Sequence, residues 1–504
     1  MMSNSFLRKF PFHPILWGIL PLMIFFVANI SEVSVDALWR PLGFSILFSL
    51  VVFGVFKIFI KDWDQSALMA SWSLFLFFTY GHVYSLLKDV KIGNLLIGRH
   101  RLILPIWLIG FVIIAILILR KKKDFKFWTL FLNVMLLAGI LLQGFQVGIY
   151  FYNRQTTKVE ITADRRLDYD RSEPLPDIYL IILDAYGRAD VYEDYYQFDN
   201  SGFVNQLEEF GFQVVPCARS NYEHTAVAIP SLLNMDYMHN LTDDINRFTS
   251  RDLLVENRTR QMLEELGYLF VTFETQYAWL TIENADVFYD IETTSRFNFL
   301  QPFEVMFMET TGGLVLFDLV AKRVQTMMSE VNIDSTNALK AYVELSNLQA
   351  LEKAVALTGP KFVYAHFMTT HPPFVFDAEG NVIENVEDKE LAYVDSTKFI
   401  SSQVSRILQK ILSEADSEPI IIIQGDHGLR PEFRYTILNA IYFPEARGDL
   451  PIYPGMTPVN SFRVIFNELF STDYELLEDR YFESRSDWFD ISEIKNVDPF
   501  CQIN

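Results

Sequence analysis

Four short stretches of the 504-residue chain combine side chains able to do chemistry with a position at the end of a buried strand. In Pro419–Leu429, PIIIIQGDHGL, four isoleucines lead into Gln424-Gly425 and then Asp426-His427, a carboxylate beside an imidazole. One hard oxygen and one borderline nitrogen suit Zn or Mn. The run from Asp177 to Asp184, DIYLIILD, is a second apolar strand ending on a carboxylate. In CARSNYEHTAVAIPSLLNM, Thr225 stands at the head of a helical run, and His224 before it is a candidate substrate contact. A helix start offers free N–H groups and a favourable dipole to a phosphate. Thr is equally a preferred N-cap, so Thr225 reads as either a nucleophile or a cap. In FVYAHFMTTHPPF, His366 lies within the strand and reads as a packed core histidine. His371 lies in the loop beyond it, where function concentrates.

The elements that position these residues read as α/β. Four consecutive isoleucines between a proline and a glycine fit a strand buried on both faces, as in the middle of a parallel sheet. In open α/β sheets ligands bind outside the carboxyl ends of the strands, where all four stretches end. Strands at Phe212–Val215, Tyr268–Phe273 and Lys361–Phe367 alternate with helices at Phe203–Phe210, Asn257–Leu266 and Glu390–Leu412. That alternation predicts a mainly parallel sheet over residues 177–504. Residues 303–328 form a Met-rich helical stretch, read as packed in a core rather than laid on a membrane surface.

The first 150 residues are of another kind. Five apolar stretches, about 15–30, 42–60, 68–87, 102–119 and 128–150, predict a polytopic α-helical membrane domain of about five spans. No small-residue cleavage site follows the first, so it reads as an uncleaved span. Nine Lys and Arg on one set of loops against five on the other predict a cytoplasmic N-terminus. An odd number of spans then puts the remainder outside the plasma (inner) membrane. Polar residues 151–176, ending in Pro174 and Pro176, read as a linker. Residues 1–150 hold 14 Lys and Arg against 6 Asp and Glu, the rest 28 against 57. An outer part of net charge −29 excludes a nucleic-acid partner, since it has no basic surface with which to displace counterions. The two cysteines, Cys217 and Cys501, lie in a compartment that tolerates disulfides, but their separation does not decide whether they pair.

In this order, IILDAYGR, the Thr of HTAVAIPSLLN, TTHPPF and QGDHG resemble the alkaline-phosphatase/sulfatase superfamily over roughly residues 175–470. Within it the chain looks most like membrane-anchored enzymes similar to lipoteichoic acid synthases and phosphoethanolamine transferases. The resemblance implies an alkaline-phosphatase-like extracytoplasmic domain and one divalent metal, Mn or Zn with Mg possible. Asp184, Thr225, Asp426 and His427 take the ligand positions. Thr225 also takes the place of the nucleophile, and His371 that of a histidine contacting the transferred phosphate or a second metal. The implied partners are a membrane lipid donor and a glycan or lipid acceptor. Two features depart from the pattern. The first acid is Asp184 where the transferases often carry Glu, and LRPEFRYTILNAIYFP, after the DHG, lacks a histidine that members often supply there. The four remaining ligands suffice for one ion. The chemistry of the residues agrees with this, because a threonine hydroxyl is a poor nucleophile that metal coordination can activate. Sulfatases need a Cys or Ser at that position and a C-x-P-S-R pattern, and the chain has neither. The expectation is a phosphotransferase, with a hydrolase using the same residues, or a non-catalytic membrane scaffold, as alternatives.

Overall fold

The structure is a computed structural model. It describes residues 10–30, 33, 35–88, 90–92, 95–120, 125–156, 167, 169, 174–275, 277, 279–290, 302–316, 336–383, 386–415, 417–444, 450–495 and 501. The chain divides into two compact units, residues 1–153 with 293–332, and residues 154–292 with 333–504.

The first unit is helical: α1 (His13–Ala28), α2 (Asp36–Phe59), α3 (Trp63–Leu87), α4 (His100–Arg120) and α5 (Lys126–Thr156). Three stretches, Asp36–Phe59, His100–Arg120 and Lys126–Asn153, are long and apolar enough to cross a membrane. Polar contacts tie the helices together: His13 Nδ1 lies 2.6 Å from Ser71 Oγ, and Thr129 Oγ1 donates to Asp64 Oδ1 at 2.7 Å.

Part of the Met-rich stretch belongs to this unit, whereas the sequence reading counted it within 177–504. Its described residues, 302–316, pack Phe303 and Phe307 on Phe25, Phe26 and Phe78. Glu304 pairs with Arg40 at 3.1 Å. The remainder, 317–328, lies outside the described residues. Aromatic burial decides the location here, and apolar periodicity alone does not say which unit supplies the core.

The second unit is built on a seven-stranded sheet: β1 (Ile178–Leu183), β2 (Phe212–Val214), β3 (Leu269–Phe273), β4 (Val287–Tyr289), β5 (Lys361–Phe367), β6 (Ile420–Gly425) and β7 (Asn439–Tyr442). Their order is β2-β7-β6-β1-β5-β3-β4. Only β7 runs against the others, so the sheet is mainly parallel, as expected. The three central strands β6, β1 and β5 are buried along their whole length. Both faces are covered by apolar side chains, which is why these strands read as continuous apolar runs.

Register places the chemistry. Ile182 lies opposite both His366 and Gln424, so Asp184 and Asp426 follow at the same level on neighbouring strands. Side chains alternate between faces. Asp184, His366 and Asp426 therefore share the face of Ile182, against which Ile229, Leu232 and Leu233 of α6 (Thr225–Asn234) also pack.

Candidate active site

Each strand end contributes one piece. Asp184 and Asp426 are 0% and 1% exposed. The turn after β1 carries Ala185 at φ 57°, a conformation rare for a residue with a side chain, next to a functional candidate. Ala185 N and His427 N both donate to Asp426 Oδ1, at 3.0 and 2.9 Å. Those two bonds fix the carboxylate and leave Oδ2 turned toward Thr225.

Thr225 is the first residue of α6, not its cap. The cap position belongs to His224, which makes no side-chain capping bond. The Thr225 hydroxyl donates to Asp426 Oδ2 at 2.6 Å and lies 3.3 Å from both Asp184 Oδ2 and His427 Nε2. The capping alternative is thereby removed. The neighbouring hydroxyls are spent elsewhere. Ser220 donates to the carbonyls of Tyr222 and Asp426, and Ser231 to that of Asp236.

His427 Nδ1 lies 2.9 Å from the carbonyl of Gly428. A carbonyl only accepts, so Nδ1 carries the proton and Nε2 presents its lone pair to the cluster. His427 Nε2 is 3.8 Å from Asp184 Oδ1 and 3.6 Å from Asp426 Oδ2. Asp184 Oδ1 is buried without a hydrogen-bond partner. Two buried carboxylates, one orphaned oxygen, one imidazole lone pair and one hydroxyl converge within bonding range of a single small ion. This donor set fits a divalent cation.

His366 corrects the sequence reading, since it is no mere core filler. Its Nε2 meets Asp184 Oδ2 at 3.1 Å, and its Nδ1 lies 3.0 Å from the Tyr364 hydroxyl. Asp184, His366 and Asp426 bring ligand atoms within 4.8 Å of one another, so His366 rivals His427 as the nitrogen ligand. Both its ring nitrogens are already engaged, whereas His427 Nε2 faces only the cluster. His427 is the better ligand and His366 the support of Asp184, as carboxylates commonly support metal-bound histidines with the roles reversed. Alternation along β5 held the signal, because His366 shares the parity of Phe362 and Tyr364 on the site's face.

Burial alone would raise the Asp184 carboxyl. The electrostatic effect of His371, the hydrogen bond from His366 and the effect of His427 outweigh it and hold the group below the usual carboxylate range. His371 is brought to the site with its ring centroid 6.5 Å from that of His427, and His224 stands at the same distance. Behind His371, Lys340 donates to the carbonyls of His371 and Pro373. Glu344 accepts from Met368 N and the Thr369 hydroxyl at 3.1 and 2.6 Å. Lys340 and Glu344, both buried, thus brace the loop that carries His371. Neither they nor Arg434, which lies beside His427, figured in the sequence reading, because nothing local links them to the motifs.

Cys217 and Cys501 form a disulfide, which decides the pairing the sequence left open. Arg219 donates to the Cys501 carbonyl at 2.7 Å. The hairpin of β8 (Tyr481–Ser484) and β9 (Ile491–Ile494) is fastened to the loop before Thr225 by Phe482 N donating to Asn221 O at 2.9 Å. Its Trp488 stacks on His224, with ring centroids 5.5 Å apart.

No family model matches the chain, and no curated protein does. Among solved structures it is similar to the C-terminal periplasmic domain of EcEptC from Escherichia coli in complex with Zn, at 13% identity and a TM-score of 0.41, over 62% of this chain and 87% of that one. It is also similar to the lipoteichoic acid synthase LtaP from Listeria monocytogenes, at 12% identity and a TM-score of 0.37, over 62% and 75%. Over 93% of its length, and 95% of the other chain, it is similar to the integral membrane protein lipooligosaccharide phosphoethanolamine transferase A (EptA) from Neisseria meningitidis, at 10% identity and a TM-score of 0.41.

Proposed function

We propose that the protein is a multi-pass membrane enzyme that transfers a phospho-substituent, of the phosphoglycerol or phosphoethanolamine type, from a lipid donor to a glycan or lipid acceptor. The observation that carries this reading is the Thr225 hydroxyl, set at a helix start 2.6 Å from Asp426 Oδ2 and within 3.3 Å of Asp184 and His427. Asp184, Asp426, His427 and Thr225 would hold the metal, Mn or Zn with Mg possible. Bound there, a divalent cation supplies a Lewis acid that activates the hydroxyl and neutralises phosphoryl charge.

The residues then act in two half-reactions. Thr225 Oγ forms a bond to phosphorus as the bond from phosphorus to the donor's alcohol oxygen breaks. The electron pair leaves with that oxygen, which takes up a proton from the medium, while the threonine proton passes to Asp426 Oδ2. In the second half the acceptor hydroxyl attacks phosphorus and gives its proton to the medium, while Thr225 Oγ departs and takes back the proton held on Asp426. His371 and His224 line the side from which the phosphate enters. The helical first unit supports a lipid donor. With five spans and a cytoplasmic N-terminus, the site would face outward from the plasma membrane.

The test is to quench turnover of a lipid phosphodiester and search for threonine esterified by the phospho-substituent by peptide mass spectrometry. The phospho-substituent on Thr225, and none in Thr225→Ala, is the expected result. Turnover without it would leave direct attack by water or acceptor.

A further inference from the structure

Asp426 and His427 are followed by a loop that closes on itself. Gly428 N donates to the Arg434 carbonyl at 2.7 Å, and Arg434 Nη1 donates back to the Gly428 carbonyl at 3.0 Å. Between them Pro431–Phe433 form a single 3₁₀ turn. Only glycine fits at 428, since a Cβ there would stand 2.0 Å from the Phe433 carbonyl oxygen. This double clasp sets the Arg434 guanidinium 3.5 Å from Nδ1 of His427, whose other nitrogen faces Thr225.

The loop has two arginines with different fates. Arg430 is paired with Glu390 on the outer side. Arg434, half-buried, forms no ion pair among the described residues, and its Nε and Nη2 have no hydrogen-bond partner there. A guanidinium held without a carboxylate, against an imidazole whose other nitrogen faces Thr225, is arranged for an anion brought from outside.

Resting on the phosphotransferase reading, we infer that Arg434 binds a non-bridging oxygen of the phosphoryl group that Thr225 receives. Its planar fork suits phosphate oxygens, and charge on those oxygens is what such a site must stabilise. The segment that lacks a histidine supplies a cation of another kind.

The alternative is a structural one, in which Arg434 serves only to hold the Gly428 carbonyl. Full-length Arg434→Gln and Arg434→Lys proteins in detergent separate the two. Glutamine keeps an N–H donor for that carbonyl, and lysine keeps the charge. Each variant is assayed for metal content, thermal midpoint, equilibrium binding of inorganic phosphate, and kcat and KM on bis(p-nitrophenyl) phosphate. Arg434→Gln should lower kcat/KM by about 10²–10³-fold, as loss of one oxyanion donor does. It should weaken phosphate binding about tenfold or more, with metal content and midpoint unchanged, while Arg434→Lys recovers part of both. Wild-type phosphate affinity and kcat/KM in Arg434→Gln would overturn the inference, as would equal losses in both variants accompanied by loss of metal. If Arg434→Gln is unstable, the lysine variant decides: retained phosphate affinity supports the role, and lost affinity removes it. If the wild type binds phosphate through Arg434 yet turns over no phosphodiester, the transferase reading falls while phosphate binding by Arg434 stands.

Discussion

The two ends of the central strands both bury charge, and they do so in opposite ways. At the amino end, Lys361 pairs with Asp177 Oδ2 at 2.5 Å. Lys361 N donates to Asp177 Oδ1 at 3.2 Å, and the ammonium donates to the Leu357 carbonyl at 3.0 Å. Every charge there has its complement within the chain. At the carboxyl end, Asp184 and Asp426 meet with one carboxylate oxygen orphaned and a hydroxyl aimed between them. A buried charge is costly unless compensated. The satisfied end is therefore structural, and the unsatisfied end is where the proposed ion and phosphate would bind.

The sharpest break in this comparison is Thr225→Ala. It should abolish turnover with the thermal midpoint and metal content close to wild type, because the hydroxyl caps nothing, and Thr225→Ser should keep part of the rate. Wild-type rates in the Ala variant would leave Thr225 without a role.

Next in size, Lys361→Met strands Asp177 and should cost about 3–5 kcal/mol in denaturant unfolding, as breaking one half of a buried pair does. Activity per folded molecule should be unchanged. A loss under 1 kcal/mol would show that the amino end is not the structural end.

A third strand end gives an intermediate effect. Burial, helped by Asp290 and Glu283 against a hydrogen bond from Thr281, pushes the Glu274 carboxyl up to about 7. An acid whose folded pKa is raised stabilises the fold when protonated, and that contribution is lost as pH rises from its unfolded value, about 4.3, through the folded one. Glu274→Gln should therefore gain on wild type by on the order of 1–3 kcal/mol between pH 4.5 and 7, and by no more above it. Parallel stability profiles for the two proteins would refute this.

Smallest in stability is Asp426→Asn, which keeps an oxygen for Ala185 N and His427 N. With chelator present it should unfold within about 1 kcal/mol of wild type. Its metal content, read by mass spectrometry, should fall to background. Retention of stoichiometric metal would move the ion to Asp184 and His366.

The strands and their terminal acids were legible because each is local: an apolar run followed by a carboxylate. The mainly parallel sheet followed from alternation with helices. What sequence could not supply was register. His366 was hidden in an apolar strand until pairing with Ile182 put it under Asp184. Arg434, Lys340 and Glu344 reach the site through tertiary contacts that no spacing encodes. The 302–316 segment was legible as buried, but not as buried among the first unit's helices.

The disulfide has a consequence for the order of events in biogenesis. Cys217 opens the loop leading to the candidate nucleophile, and its partner follows 284 residues later. A ribosome has therefore made Asp184, Asp426, the whole sheet and the Trp488 hairpin before the bond can form. On the proposed topology the loop becomes covalently closed only after Cys501 has crossed into an oxidising compartment. Export would then be a checkpoint on maturation, and a chain retained in the cytosol would keep this loop open at its tether.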